Sequence, residues 1–443
     1  MNMTSRTITA RHTLITAVAA GACAAAMASA GLGAAPTAKA TCLSVFGIGN
    51  GGGCTSNLFS AALAVGNGAT ATASGLFGAA LALGTSATAA TGDAFTFATA
   101  VGDSAGATAG GLFGIATQVG SNGPASTQGS GSLADLGLNI AFNLSPGSAG
   151  DDVIAAGIGN FAANFLGRAS APGTHTVSAL GTLDIAMNLA GRDNTVKSGA
   201  GLFNRAFNFF GSNNTATGEG GLSNVARNFF GDGNTVTTAG GNANSATSVL
   251  GGGNQVVVVS GVGNIATSLA GNSNEVGILG GTVDGARNWF GTQNTVTTVG
   301  GVQNAVTNIL GSNNTLTAEG ANSNNARNLL GSGNTLQAGS VGSNANGAST
   351  FGSRGNTVTA GAPGNRTVGF AVFGADNTVE AGPGPFALAG SIFQNSKTVT
   401  KVNPGIAINN FRIGGASATP SGNARPSAST AGKSASAVRG SSK

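Results

Sequence analysis

The side chains best suited to acid–base chemistry are one histidine and four aspartates in the middle of the chain. Beyond residue 40 there is a single histidine, His175, and the whole chain has no tyrosine. A Ser-His-acid or Cys-His site would have to assemble around that one imidazole. Because His175 falls in a short insertion between repeats, we expect it in a solvent-exposed loop and not in a catalytic site.

A polysaccharide-cleaving site would need paired carboxylates for general acid and base catalysis. Asp151 with Asp152, and Asp184 with Asp193, are the closest acidic groups, and the remaining acids are scattered. We therefore expect no enzymatic activity. A carbohydrate-active β-helix enzyme stays the alternative if these four aspartates converge in one groove.

The sequence predicts no metal and no cofactor. Calcium-binding turn repeats need an aspartate in each turn, and the corresponding place here holds asparagine. The glycine-rich turns lack the Gly-Lys-Ser/Thr sequence of a phosphate loop. They are interpreted as corners of the fold.

The first 40 residues have the form of an export signal. Basic residues precede an Ala-rich apolar run from Leu14 to Ala30, and a small-x-small site ends at Ala40. The run is too rich in alanine for a membrane anchor. We predict a signal peptide over 1–40, cleaved after Ala40 or alternatively after Ala30, and a protein that is secreted or associated with the cell envelope.

Two of the three cysteines remain after this cleavage, because Cys23 lies within the signal. Cys42 and Cys54 form an even pair in an exported chain, where disulfides persist. We predict a disulfide between them, with two unpaired thiols as the alternative, in an N-terminal cap over 41–57.

The excess of basic over acidic charge lies at the two ends of the chain. A formal net charge of +5 alone suggests nucleic acid or an anionic surface. Lysine and arginine, however, are concentrated in the first 40 and the last 32 residues, which leaves the body slightly acidic. We expect no nucleic-acid partner, and a disordered basic tail over 412–443.

Tandem repetition dominates the rest of the sequence. The chain is only 7% charged and has 77 glycines, which is unlike an ordinary globular enzyme. Asparagine or aspartate occupies every tenth position from 184 to 344, at 17 successive sites. The members include Asn204, Asn214, Asn224, Asn234, Asn264, Asn294, Asn314 and Asn334.

Two kinds of half-repeat alternate, so the unit is 20 residues long. Upstream the spacing is 18, as at Phe59, Phe77, Phe95 and Phe113. Each half is a short alternating run bounded by Gly and Asn, which predicts strand and turn without helix. We predict an all-β parallel β-helix, or β-solenoid, with stacked Asn ladders and a narrow, flattened core.

This prediction gives the chain a definite order of parts. The coils end where the repeat fades, and Pro404 interrupts strand pairing in the segment that follows. We expect the short coils over 58–125, the long coils over 126–400 and a C-terminal cap over 401–411.

Two surface ladders are candidates for binding. Paired threonines, such as Thr295 and Thr297, should form a flat outward array that could bind ice, or simply an exposed strand surface. An apolar pair follows each alternate strand. We favour both of its members as core, with an exposed lipid- or glycan-binding stripe as the alternative. That stripe would include Phe209, Phe229, Trp289 and Leu329.

The Gly- and Asn-rich coils over 58–400, behind an Ala-rich export signal, resemble tandem-repeat secreted or surface proteins of mycobacteria and related actinobacteria. The resemblance implies a β-solenoid and a setting at the cell envelope or beyond it. Together with the absence of a reactive constellation, it favours a structural or adhesive rod. The expected partners are envelope glycan or lipid, or further copies of the chain.

Overall fold

The computed structural model describes residues 41–128, 137–145, 150–361 and 363–414. Within these ranges the chain forms 39 strands, numbered β1 to β39 along the sequence, and no helix. The strands make two sheets, A and B. The predicted signal peptide and residues 415–443 of the predicted tail lie outside the described ranges.

Sheet A contains 21 strands. They are β1 (Thr41–Val45), β2 (Ile48–Gly49), β4 (Ala61–Val65), β6 (Ala79–Leu83), β8 (Phe97–Val101), β10 (Ile115–Val119), β12 (Ile140–Leu144), β14 (Phe161–Arg168), β16 (Ile185–Arg192), β18 (Arg205–Asn208), β20 (Val225–Asn228), β22 (Ser245–Leu250), β24 (Ile265–Ala270), β26 (Gly285–Asn288), β28 (Ala305–Ile309), β30 (Asn325–Leu329), β32 (Gly347–Phe351), β34 (Val368–Val372), β36 (Ala387–Ile392), β38 (Gly405–Ile408) and β39 (Phe411–Ile413).

Sheet B contains the remaining strands, which alternate with those of sheet A along the chain. They are β3 (Cys54–Ser56), β5 (Thr70–Ala73), β7 (Thr88–Thr91), β9 (Gly106–Ala109), β11 (Pro124–Gln128), β13 (Asp152–Ile158), β15 (Thr176–Thr182), β17 (Thr195–Leu202), β19 (Thr215–Glu219), β21 (Thr235–Ala239), β23 (Gln255–Val259), β25 (Glu275–Leu279), β27 (Thr295–Val299), β29 (Thr315–Glu319), β31 (Thr335–Ala338), β33 (Thr357–Ala360), β35 (Thr378–Ala381) and β37 (Thr398–Lys401).

Each strand of the coils pairs in parallel with the equivalent strand one coil later. In sheet A, Ala226 is the register partner of Ala246, and in sheet B, Val236 is the partner of Val256. The predicted parallel β-solenoid is therefore confirmed, with about 17 turns. At the usual strand spacing of about 4.8 Å per coil, the rod is roughly 80 Å long.

The core between the sheets is filled by small side chains. Alternate residues of a strand point to opposite faces. Sheet A turns Ala226 and Ala246 inward, sheet B turns Val236 and Val256 inward, and all four are fully buried. Alanine facing valine fills only a short distance between the sheets, which gives the narrow core expected from the sequence.

Glycine at the turns is a steric requirement of the stacking. Gly231 follows β20 and has φ +118°, where side-chain-bearing residues are rare. A Cβ atom on Gly231 would lie 1.8 Å from the carbonyl oxygen of Gly251 in the next coil. Any larger residue would therefore force the two coils apart.

Antiparallel strands cover sheet A at both ends of the rod. At the N-terminal end β1 pairs antiparallel with β2 and β4, and Cys42 and Cys54 form a disulfide. At the other end β39 folds back antiparallel on β38. Lys401 is fully buried there and donates from Nζ to the carbonyl oxygen of Gly414. Arg412 lies within β39, so pairing continues past the predicted end of the cap at residue 411.

Candidate functional site

The predicted asparagine columns are two hydrogen-bonded ladders, one at each turn that enters a strand. The main-chain N–H of Asn224 donates to Oδ1 of Asn204 over 3.0 Å, and that of Asn234 donates to Oδ1 of Asn214 over 2.9 Å. The same contact, from a main-chain N–H to the Oδ1 atom of the asparagine 20 residues earlier, is made by Asn264, Asn294, Asn314 and Asn334.

The side-chain amides of these asparagines are also used. Nδ2 of Asn224 donates to carbonyl oxygens in its own coil and in the next coil. The last member of the predicted run departs from the pattern, because Asn346, and not Asn344, donates to Oδ1 of Asn324. The prediction of ladders is confirmed, and its final position shifts where the coil lengthens.

A third ladder, inside the core, was not predicted from the sequence. Asn228 donates from Nδ2 to Oδ1 of Asn208 over 2.7 Å, and Asn308 does so to Asn288. The residues are fully or almost fully buried. The signal was an asparagine four positions after every second member of the run. Serines at 248 and 268 interrupt it, and within the described ranges their hydroxyls have no partner.

His175 is buried, so the expectation of an exposed loop histidine was wrong. It occupies a ladder position, where Nδ1 accepts the main-chain N–H of Asn194 over 3.1 Å. Its Nε2 lies 3.2 Å from Oδ1 of Asn164 and 3.3 Å from Nδ2 of Asn188. Burial lowers the pKa of His175, against the opposing charges of Asp151 and Asp193. The imidazole is held neutral as a structural link between ladders.

The four candidate carboxylates do not meet in one groove. Asp151 is buried beside His175, while Asp184 is buried in the other ladder, where it accepts the N–H of Asn204. Asp193 accepts from Ser170 at the surface. Asp152 is half-buried at the start of β13. In the described ranges no three His, Cys, Asp or Glu side chains are grouped as a metal site would need.

Two aspartates stand in ladder positions built for asparagine. Burial raises the pKa of Asp184 and of Asp284 to about 6, although the N–H donors of Asn204 and Asn304 oppose the shift. Within the described residues, Oδ2 of each has no hydrogen-bond partner. This oxygen occupies the place of the asparagine Nδ2, which donates to carbonyl oxygens elsewhere in the ladder. Each carboxylate is therefore buried against the backbone in a position where an asparagine amide would be better satisfied.

The predicted threonine array lies on the outer face of sheet B. Its first column runs in register without interruption through six coils, and a second column lies two residues further along each strand. Glu275 and Glu380 place charge on the same face. The first column consists of Thr295, Thr315, Thr335, Thr357, Thr378 and Thr398.

The apolar pairs lie at the surface, so the favoured interpretation of them as core was wrong. After Asn228 the strand ends, and Phe229 is half-buried while Phe230 is 45% exposed. Trp289 is 43% exposed. At β20 and β26 the strand ends at the buried asparagine, and neither side chain of the pair that follows is buried.

These residues form what we call the apolar ridge, along the turns that lead from sheet A to sheet B. An inner column includes Phe209, Phe229, Trp289 and Leu329. The exposed outer column is Phe210, Phe230, Leu250, Phe290, Leu310, Leu330, Phe373 and Phe393.

The ridge presents ring edges to solvent where its phenylalanines stack. Phe209 and Phe229 lie 4.8 Å apart with an interplanar angle of 2°, and Phe210 and Phe230 lie 5.3 Å apart at 7°. Stacked rings cover each other's faces. At these positions the exposed part of each ring is therefore mainly its edge.

The short coils carry a separate aromatic stack on the opposite edge. Phe59, Phe77, Phe95 and Phe113 lie in turns that lead from sheet B to sheet A, with neighbouring centroids 5.2–5.6 Å apart. In the 20-residue coils this edge still carries exposed apolar residues, such as Leu222, Val262 and Val283, and the apolar ridge adds a second apolar edge.

Comparison with protein-family models, with curated proteins and with solved structures finds no match for this chain. Across the described ranges, no helix has the length and hydropathy that a membrane span needs.

Proposed function

We propose that the chain is an exported structural or adhesive rod of the cell envelope or the extracellular space, without catalytic activity. The observation that carries the proposal is that the side chains best suited to catalysis are buried within the stacked coils, where they make structural hydrogen bonds. Asp151 and His175 are buried, and Asp184 accepts a main-chain hydrogen bond as a ladder member. A carbohydrate-active enzyme is disfavoured, because its two carboxylates would have to face one substrate groove.

The regularity of the outer surface supports the same proposal. A protein that repeats one coil presents the same side chains every 4.8 Å or so along its length, which suits extended contacts better than a single pocket. The export signal and the resemblance to actinobacterial repeat proteins stay predictions, and they supply the expected location.

Fractionation of producing cells tests the location and the role together. We expect the intact protein in the envelope or the medium, and its retention in the cytoplasm when residues 1–40 are deleted. A binding screen of the purified protein against envelope glycans and lipids should then identify what it adheres to. Two results would contradict the proposal. One is full-length protein that stays in the cytoplasm, and the other is a polysaccharide hydrolase activity that the Asp151→Asn variant loses.

The threonine columns support a second candidate, the binding of ice. Six consecutive in-register threonines give sheet B a strip of hydroxyl-bearing side chains beside Thr297 and Thr317, bounded by Glu275 at one end and flanked by Glu380. Replacing Thr295 and Thr297 with lysine should abolish ice-growth inhibition, whereas Thr307→Lys, on the outer face of sheet A, should not. Equal inhibition by both variants, or none by the unchanged protein, would remove this candidate.

A further inference from the structure

The apolar ridge is long, continuous and almost free of charge. It follows the ten turns after β18 to β36, where the exposed charged residues are Asp232, Arg354, Asp376 and Lys397. With roughly 200 Å² for a whole large apolar side chain and about half of it exposed, the eight side chains of the outer column present on the order of 800 Å². That is the area that each partner buries in a standard stable interface.

We propose that the ridge is a homodimer interface, in which two copies pack antiparallel about a twofold axis through the coil of Trp289 and Phe290. The ridge repeats once per coil, about every 4.8 Å. A second copy has the same period by construction, so it can contact every coil in register. The proposal concerns association alone and does not rest on export.

The antiparallel arrangement places a large side chain opposite each of the two small residues in the outer column, Ala270 and Gly352. A twofold axis across the two rods places outer column against outer column, and inner against inner. With the axis at Trp289, each coil before it faces the coil equally far beyond it. Phe230 then faces Gly352, beside a groove of about 380 Å³, and Leu310 faces Ala270. These two small residues are the places where the outer column is lowest.

The same arrangement matches opposite charges. Asp232 and Arg354 are both exposed in turns of the ridge, three coils to either side of Trp289. The twofold axis places Asp232 of one copy opposite Arg354 of the second copy, on both sides of the interface. A parallel pair would instead set the inner column across the outer column and separate these turns.

Analytical ultracentrifugation of the purified full chain tests the interface. Trp289 is the single tryptophan, so its emission should shift to shorter wavelength as the dimer forms. We expect Trp289→Ser combined with Phe290→Ser to weaken dimerisation at least 100-fold. The matched control is Val283→Ser, which removes a residue 58% exposed on the opposite edge and should leave dimerisation unchanged.

A charge swap tests the register. Asp232→Lys and Arg354→Glu should each weaken the dimer about tenfold, and the double variant should restore it to within about threefold. A double variant as weak as the singles would overturn the antiparallel register. A chain that stays monomeric at 100 µM, or whose Trp289 emission shifts only with neutral lipid vesicles, would overturn the dimer itself.

Discussion

Asn194 donates its main-chain N–H to Nδ1 of His175 over 3.1 Å, the contact that later rungs of this ladder make to an asparagine Oδ1. An imidazole can accept at Nδ1 only while that nitrogen is unprotonated. This hydrogen bond between successive coils therefore requires the neutral form of His175.

The first prediction concerns acid stability. Because the pKa of His175 is lower in the folded chain than its ordinary 6.5, the unfolded chain binds the proton more readily. The contribution of His175 to stability should then fall as the pH drops below about 6.5, opposite in sign to the contributions of Asp184 and Asp284. His175→Asn restores the ladder residue and should flatten this dependence, measured by urea unfolding between pH 5 and 8. An unchanged slope would refute the role assigned to the imidazole.

The second prediction concerns Asp284. Its folded pKa of about 6 lies above the ordinary 3.8, so the carboxylate costs stability as the pH rises from 3.8 through 6, and fully above 6. Asp284→Asn supplies the missing donor and should raise the free energy of unfolding by about 1–2 kcal/mol at pH 8. The gain should shrink at pH 5. Asp376→Asn, at an exposed position, is the control and should change little.

The third prediction concerns the core ladder. Asn228→Ala leaves Oδ1 of Asn208 without its donor, and Nδ2 of Asn234 loses one of its two acceptors and keeps the carbonyl oxygen of Gly251. We expect a loss of about 2–4 kcal/mol, because buried polar atoms would be unsatisfied. Asn325→Ala, on the exposed outer face of β30, should cost less than about 0.5 kcal/mol. Equal losses would mean that the buried amides carry no special weight.

The fourth prediction concerns the turns. Gly231→Ala should destabilise the protein by more than about 2 kcal/mol, because it combines a left-handed backbone with a clash against the next coil. Gly277 lies on β25, where a Cβ would meet only ordinary contacts to Thr297. Gly277→Ala should be neutral or stabilising by about 0.5 kcal/mol. Thermal unfolding of both variants distinguishes the two positions.

The sequence was enough to predict the fold, because a solenoid repeats its local rule. Asn224 makes the same main-chain contact as Asn204 and Asn244, so the same residue type is required at every interval of 20. The core ladder was not predicted because Ser248 and Ser268 break it in the middle of the regular coils.

The features that could not be predicted lie where the repeat changes. His175 sits between coils of different length, so its spacing gave no indication that it continues the column of Asn194 and Asn214. The outward turn of Phe229 and Phe230 depends on where β20 ends. Alternation alone cannot supply that end point.

The stacking of side chains 20 residues apart can be measured with paired nitroxide labels. Labels on Thr297→Cys and Thr317→Cys lie on register partners, about 5 Å apart along the rod. Labels on Thr297→Cys and Thr307→Cys lie on the outer faces of opposite sheets. We predict strong dipolar broadening of the electron paramagnetic resonance spectrum for the first pair and none for the second. Broadening that is equal in both pairs, or stronger for the ten-residue pair, would contradict the solenoid.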